Sequence, residues 1–147
     1  MCAKNGRELM YRQLVREQLK RHEGLSLKLY KCTANKSTIG YGRNLDDRGI
    51  TLAEADLMLE HDIDECLRLS SQLPVYSSLN QVRQVVVINM LFNLGLPRLL
   101  GFTNMWAAIQ TGDYAKAADE MLDSKWARQV GERAIELADM MRSGRHE

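Results

Sequence analysis

Between Asn80 and Asn93 the chain carries the run VRQVVVINMLFN, which is apolar nearly all the way round a helix. Such a segment cannot lie on a surface. It predicts a helix at the centre of a helical lobe, closed by Gly95 and Pro97. Shorter helices to cover it are expected from Phe102 or Thr103 to Gly112, from Tyr114 to about Ser124, and from about Gly131 to Ser143. At 147 residues, 45% apolar and 27% charged, the composition is that of a globular chain able to bury about two thirds of its unfolded surface. A disordered chain is excluded, and no cofactor or disulfide is needed to explain folding.

The region before that lobe reads differently. Leu9, Met10, Tyr11, Leu14, Val15 and Leu19 recur at helical spacing, which predicts an opening amphipathic helix to about His22, stopped at Gly24, with Glu23 at its end. Leu25, Leu27 and Leu29 then alternate with polar residues, and Thr38, Ile39 and Tyr41 stand among glycines. That pattern predicts a small irregular antiparallel sheet. Thr51 and Glu54 form a capping box, followed on one helix face by Leu52, Ala55, Leu59, Ile63 and Cys66, with an end before Leu73-Pro74. The expected class is α+β: a sheet lobe over about 1–50, a connecting helix over about 51–72, and a helical lobe over about 73–147.

The net charge of +1 hides an asymmetry. Met1 to Gly24 has six Lys or Arg against three Glu, while Asp46 to Glu65 has eight acidic residues and only Arg48 against them. These are either solvated helix faces or, for the basic end, a means of dwelling on an anionic polymer such as a cell wall. The basic residues are few and not interleaved with aromatics, and no phosphate loop is present, so nucleic acid is not an expected partner. Cys2, Cys32 and Cys66 show no paired spacing, which suggests neither a disulfide framework nor a metal site. The N-terminus has no apolar run of signal-peptide or anchor type.

Glu23, Cys32 and Thr38 are the candidates for chemistry. Glycosidic bonds are commonly broken by a protonated carboxyl on one side and a group that activates water or attacks the sugar on the other. Here Glu23 ends a helix and Cys32 and Thr38 lie on the sheet that follows, at intervals of eight and five residues. Spacing alone carries little, because a Glu at a helix end is commonly a surface residue, a strand Cys a small core hydrophobe, and a strand Thr a matter of β-propensity.

The surrounding segment adds what spacing lacks. HEGLSLKLYKCTANKSTIGYGRNL closely resembles the catalytic region of the phage-type lysozymes, glycoside hydrolase family 24, in which Glu, eight residues, Asp or Cys, five residues and Thr precede Ile-Gly-x-Gly. The resemblance continues through Pro74-Val75-Tyr76, Val82-Arg83, Ile88-Asn89-Met90, Phe92, Gly101-Phe102-Thr103-Asn104, Trp126 and Arg133-Ala134, so it covers roughly Leu9 to Gly144. It implies a bilobal fold with the substrate cleft between the lobes. The implied activity is hydrolysis of the β-1,4 bond between N-acetylmuramic acid and N-acetylglucosamine in peptidoglycan, with no cofactor and no metal.

By the same resemblance Glu23 would be the general acid, kept protonated by partial burial that raises its pKa. Thr38 would orient the attacking water. Arg133 would anchor the lobes around Glu23, or be a plain surface cation, and Phe92 would line the sugar cleft or belong to the lobe core. Cys32 stands where many members have Asp; a thiol with a reference pKa near 8.5 could serve as thiolate base, as covalent nucleophile, or as filler, leaving the stereochemical outcome open. His22 either tunes the acid or is solvated. Asn44, Met105 and Glu120 depart from the family's polar sugar contacts. A lytic transglycosylase and a non-catalytic glycan-binding protein are the competing functions. The expected partners are peptidoglycan glycan strands and, for release, a phage holin; a monomer without membrane anchor is expected, held in the host cytoplasm until lysis and then acting on the wall.

Overall fold

In the computed structural model residues 6–146 are described, so the expectation that Cys2 is unpaired lies outside the described residues. The chain divides into two compact units with the boundary between Asp56 and Leu57. The fold is α+β, with one three-stranded antiparallel sheet and many helices.

The first unit opens with α1 (Gly6–Glu23). Gly24, at φ +69°, sends its N–H back to Lys20 O at 3.2 Å, so the left-handed conformation that glycine adopts without a Cβ penalty ends the helix where the sequence predicts. Three strands follow in spatial order: β1 (Ser26–Lys31), β2 (Ser37–Gly40) and β3 (Arg43–Asn44). Tyr30 pairs with Thr38, and Thr38 with Asn44, with an irregularity in β1 between Ser26 and Tyr30. The alternation at Leu27 and Leu29 correctly marks a strand, but both leucines are exposed; the buried side chain of this sheet is Thr38.

A short helix, α2 (Leu45–Arg48), braces the sheet edge with its carboxylates. Asn44 caps it by accepting from Asp47 N–H at 3.0 Å, Asp46 accepts from Ser37 N–H at 2.7 Å, and Asp47 pairs with the Lys36 ammonium at 3.2 Å. Part of the acidic run is thus engaged in holding β2.

Helix α3 (Leu52–Leu69) begins with the predicted capping box: Glu54 N–H donates to Thr51 Oγ1 at 3.2 Å and Thr51 N–H to Glu54 Oε1 at 2.8 Å. Arg43 on β3 ion-pairs with the same carboxyl, tying sheet to helix. The Arg43 guanidinium, with the Thr51 amide and hydroxyl behind it, holds the Glu54 carboxyl at about 2 against an ordinary 4.5. Because this value is depressed in the folded chain, its stabilising contribution is complete above about 4.5 and is lost as pH falls through about 2. An NMR titration of the Glu54 carboxyl carbon is expected to give a midpoint near 2, moving toward 4.5 in Arg43→Met.

In the second unit the apolar run becomes α4 (Gln81–Leu94), capped by Asn80, with Val86, Val87, Met90, Leu91 and Leu94 buried. Around it lie α5 (Leu96–Leu100), α6 (Thr103–Gln110), α7 (Tyr114–Leu122), α8 (Lys125–Val130) and α9 (Glu132–Ser143). Helix α9 packs on α4, α7 and α8. Leu99, Met105, Met121 and Met141 fill the interior with Met90, each contributing about 1.5–3 kcal/mol by leaving water. At the far end of α9, Arg83 donates to Met141 O at 2.7 Å while its guanidinium lies 3.6 Å from the centre of the Tyr114 ring, and Asn80 Nδ2 donates to Gly144 O at 3.2 Å. One helix start thereby supplies the donors that another helix end lacks.

Two sequence expectations shift in this unit. Ser124, read as a helix end, is the N-cap of α8, accepting from Ala127 N–H at 3.0 Å. Pro97, read as a terminator, sits in the first turn of α5, where its missing N–H costs nothing.

Candidate active site

Glu23 is the last residue of α1, and the chain reverses immediately after it into β1. Its carboxyl lies against the backbone of Gly42: a Cβ built on Gly42 would stand 2.6 Å from Glu23 Oε2 and 3.2 Å from its carboxyl carbon. Gly42 also has φ +76°, and with Tyr41 it makes the two-residue turn between β2 and β3. Both the turn and the close approach require glycine. The Lys20 ammonium lies 5.4 Å over the Tyr41 ring, joining the last turn of α1 to the same turn. Glu23 itself is exposed, so the burial expected to surround this carboxyl is not supplied within its unit.

Cys32 and Thr38 are built by the hairpin between β1 and β2. Cys32 N–H donates to Lys36 O at 3.0 Å and Asn35 N–H to Cys32 O at 2.8 Å, with Asn35 in the left-handed region at φ +61°. That reversal turns backbone donors toward the half-exposed sulfur. The Lys36 amide, then the Ala34 amide, then the Thr38 hydroxyl hold the Cys32 thiol below its ordinary value by hydrogen-bonding its anion, against a smaller opposing effect of burial.

Thr38 pairs with Tyr30, and Cys32 lies two residues beyond Tyr30, so the two side chains belong to one face of the hairpin. Thr38 is only 3% exposed, and its Oγ1 donates to Lys36 O at 2.8 Å. A hydroxyl has a single proton, so donation to a Cys32 thiolate competes with donation to the Lys36 carbonyl. Within this unit Thr38 therefore lies against the sulfur and the loop backbone.

Phe92 and Arg133 belong to the second unit, where they line one apolar pocket of about 610 Å³ with Ile63, Val85 and Ile88. Phe92 is 47% exposed, at the surface rather than in the core. Arg133 directs its fork at Asn89, with Nη2 and Nε at 2.7 and 3.0 Å from Oδ1 and Nη2 at 3.4 Å from the carbonyl. Of the family departures, Met105 is core, Asn44 is the cap of α2, and Glu120 lines a small polar pocket with Thr103 and Asn104.

Gly42, the Lys36 and Ala34 amides and Asn89 have no separate role on the sequence alone. Gly42 had a signal in the Ile-Gly-Tyr-Gly run. Asn35 was the available signal for the amides, being the non-glycine residue that most readily takes a left-handed turn position.

A family model described as phage lysozyme matches residues 20–142, a span containing Glu23, Cys32, Thr38, Phe92 and Arg133. The chain is 26% identical over 160 residues to "Probable T4-type lysozyme 1" of Dictyostelium discoideum, covering 88% of this chain and 94% of that one. It is 33% identical over 115 residues to an endolysin of Acyrthosiphon pisum secondary endosymbiont phage 1, covering 75% of each. It is 29% identical over 157 residues to the pre-baseplate central spike protein of Enterobacteria phage T4, covering 87% of this chain and 27% of that protein.

Proposed function

The chain belongs to the phage lysozyme family, and from that premise we propose that it is a muramidase of endolysin type, hydrolysing the β-1,4 bond from N-acetylmuramic acid to N-acetylglucosamine. The observation that carries this reading is the pair of proton-handling groups in one small unit: Glu23 at the end of α1 against Gly42, and Cys32 at the β1–β2 hairpin, its thiol lowered by the Lys36 and Ala34 amides and the Thr38 hydroxyl. Glu23 protonates the leaving oxygen. Cys32 as a thiolate takes a proton from the attacking water. The amides that stabilise its anion make a base the role best matched to its surroundings. Thr38 is a positioning residue, steering the sulfur through its hydroxyl.

A direct inversion follows from this assignment, because water rather than the sulfur attacks the sugar. Digestion of purified peptidoglycan tests both points. New reducing muramic acid ends, with the anomer inverted in the first NMR spectra, are expected. 1,6-Anhydromuramic ends would make the protein a lytic transglycosylase, and no cleavage would leave a glycan-binding protein. Among the described residues no helix is long and apolar enough to cross a membrane, and we propose that a holin releases the protein to the wall.

Gly42→Ala tests the geometry around the acid. The new methyl group would stand 2.6 Å from Glu23 Oε2, forcing the carboxyl aside, and the backbone at φ +76° would add about 1–2 kcal/mol of strain. A turbidity assay on outer-membrane-stripped cells is expected to show at least a tenfold loss of activity, with a thermal midpoint lower by a few degrees.

A further inference from the structure

Resting on the muramidase reading, we infer that Arg43 and Glu54 are positioning residues for the acid: their ion pair fixes the turn of Tyr41 and Gly42 on which the Glu23 carboxyl is seated. Every residue in this chain of contacts lies in the first unit. Gly42 is where the backbone meets the carboxyl, and Arg43 is the next residue. The turn has little of its own to hold it in place. Gly40 and Gly42, at φ +70° and +76°, bring no side chains to it, and β3 beyond them is two residues long, pairing Arg43 with Ile39 and Asn44 with Thr38. Glycine backbone takes many conformations, and a ladder this short fixes few of them, so the turn needs an anchor outside itself.

Arg43 supplies that anchor through its side chain. Its Nη1 donates to Glu54 Oε1 and lies 3.5 Å from the Gly49 carbonyl oxygen. The receiving oxygen is itself held, because Oε1 also accepts the Thr51 N–H at 2.8 Å in the capping box that starts α3, a helix of 18 residues. With the Arg43 guanidinium keeping its carboxyl at about 2, Glu54 stays ionised from mildly acid to alkaline pH, and so does its partner. The pair therefore stays closed over that range. On the other side of the turn the Lys20 ammonium lies over the Tyr41 ring and ties it to α1. The turn is thus held between the helix that carries the acid and the start of the helix that follows the sheet. A reacting group displaced by about 1 Å can lose about 10²-fold in rate, so residues that fix its seat act on catalysis without touching substrate.

Amide NMR on the full chain reads the seat apart from catalysis. The Gly42 N–H shift is expected to show a step as Glu23 ionises, and Glu23→Gln, in which that step is absent, assigns it. Arg43→Met is expected to shrink the step to about half or less, and movement of the Glu54 midpoint toward 4.5 in the same protein shows that the pair is broken. Glu54→Gln keeps an oxygen to cap α3 but removes its charge, and should shrink the step less. On peptidoglycan Arg43→Met should lose about tenfold in kcat with KM changed by less than about twofold. Arg43→Lys should recover part of that loss, since the contact uses one nitrogen of the guanidinium. The double variant R43M/E54Q should be no slower than Arg43→Met, because the two residues act as one unit. Circular dichroism checks that each variant is folded. An undiminished Gly42 step or a wild-type kcat in Arg43→Met, a loss confined to KM, a loss that Arg43→Lys does not relieve, or fully multiplicative losses in R43M/E54Q would each overturn the inference. A wild-type protein that does not cleave peptidoglycan sinks the muramidase reading, while the Gly42 step still decides whether Arg43 holds the carboxyl; cleavage with an undiminished step in Arg43→Met sinks the positioning role alone.

Discussion

Glu23→Gln is expected to leave the protein folded and to lower the rate of peptidoglycan cleavage by about 10²–10⁴-fold, the usual contribution of a positioned general acid. The amide has the size and shape of the carboxyl but no proton to give to a departing sugar oxygen. Its effect on folding should be small, because Glu23 is exposed and its carboxyl has no hydrogen bond or ion pair among the described residues. A thermal midpoint within about 2 °C of wild type, measured alongside turbidity clearing, separates chemistry from stability. The decrease should fall on kcat rather than KM, since the lost interaction matters only as the bond breaks. Glu23→Asp adds a control on geometry: it keeps the acid but withdraws it by one methylene from Gly42, and should recover only part of the rate. A Glu23→Gln protein that clears cells at the wild-type rate would remove Glu23 from the mechanism.

The residues behind that prediction were legible to different degrees, for physical reasons. Helix α1, the capping box on Thr51 and Glu54, and the buried helix α4 each follow from local chemistry: a terminating glycine, a reciprocal pair of hydrogen bonds, an apolar surface with no polar side. The short helices α2, α5 and α8 were not visible, because four to six residues leave little room for periodicity, and α5 and α8 start at residues that also end helices. Ser124 and Pro97 show that ambiguity directly.

At the site, side-chain identity in Glu23, Cys32 and Thr38 came through the family pattern, whereas their surroundings are made of backbone. The approach of Glu23 to Gly42 depends on residues 19 apart in sequence, and the amides around Cys32 depend on Asn35 turning left. Neither is encoded in a composition or a period. Within this unit Glu23 is exposed and Thr38 turns its hydroxyl to the Lys36 carbonyl, because the motif specifies which residues recur and the hairpin decides which way they face.

Cys32→Ser should reduce activity by about 10²-fold or more, and Cys32→Asp should restore most of it while moving the acid limb of the pH profile to lower pH. Both follow from what the Lys36 and Ala34 amides and the Thr38 hydroxyl are arranged to hold, an anion at the position of the sulfur. Serine accepts the same hydrogen bonds, but its hydroxyl does not ionise in the working range, so the base is lost while the packing is kept. Aspartate brings a group that is already ionised at pH 5. In the wild type the lowered thiol must lose its proton before it can act, so kcat/KM rises with pH through the thiol's value, and that value lies below the ordinary one. Thr38→Val, which removes the one side-chain donor among the groups that lower the thiol, should shift the same limb upward in Cys32 protein. A merely structural threonine would change the amplitude of the profile and leave its midpoint in place. A fully active Cys32→Ser enzyme with an unshifted acid limb would mean that the sulfur takes no proton at all, and that Glu23 works with a water held by some other group.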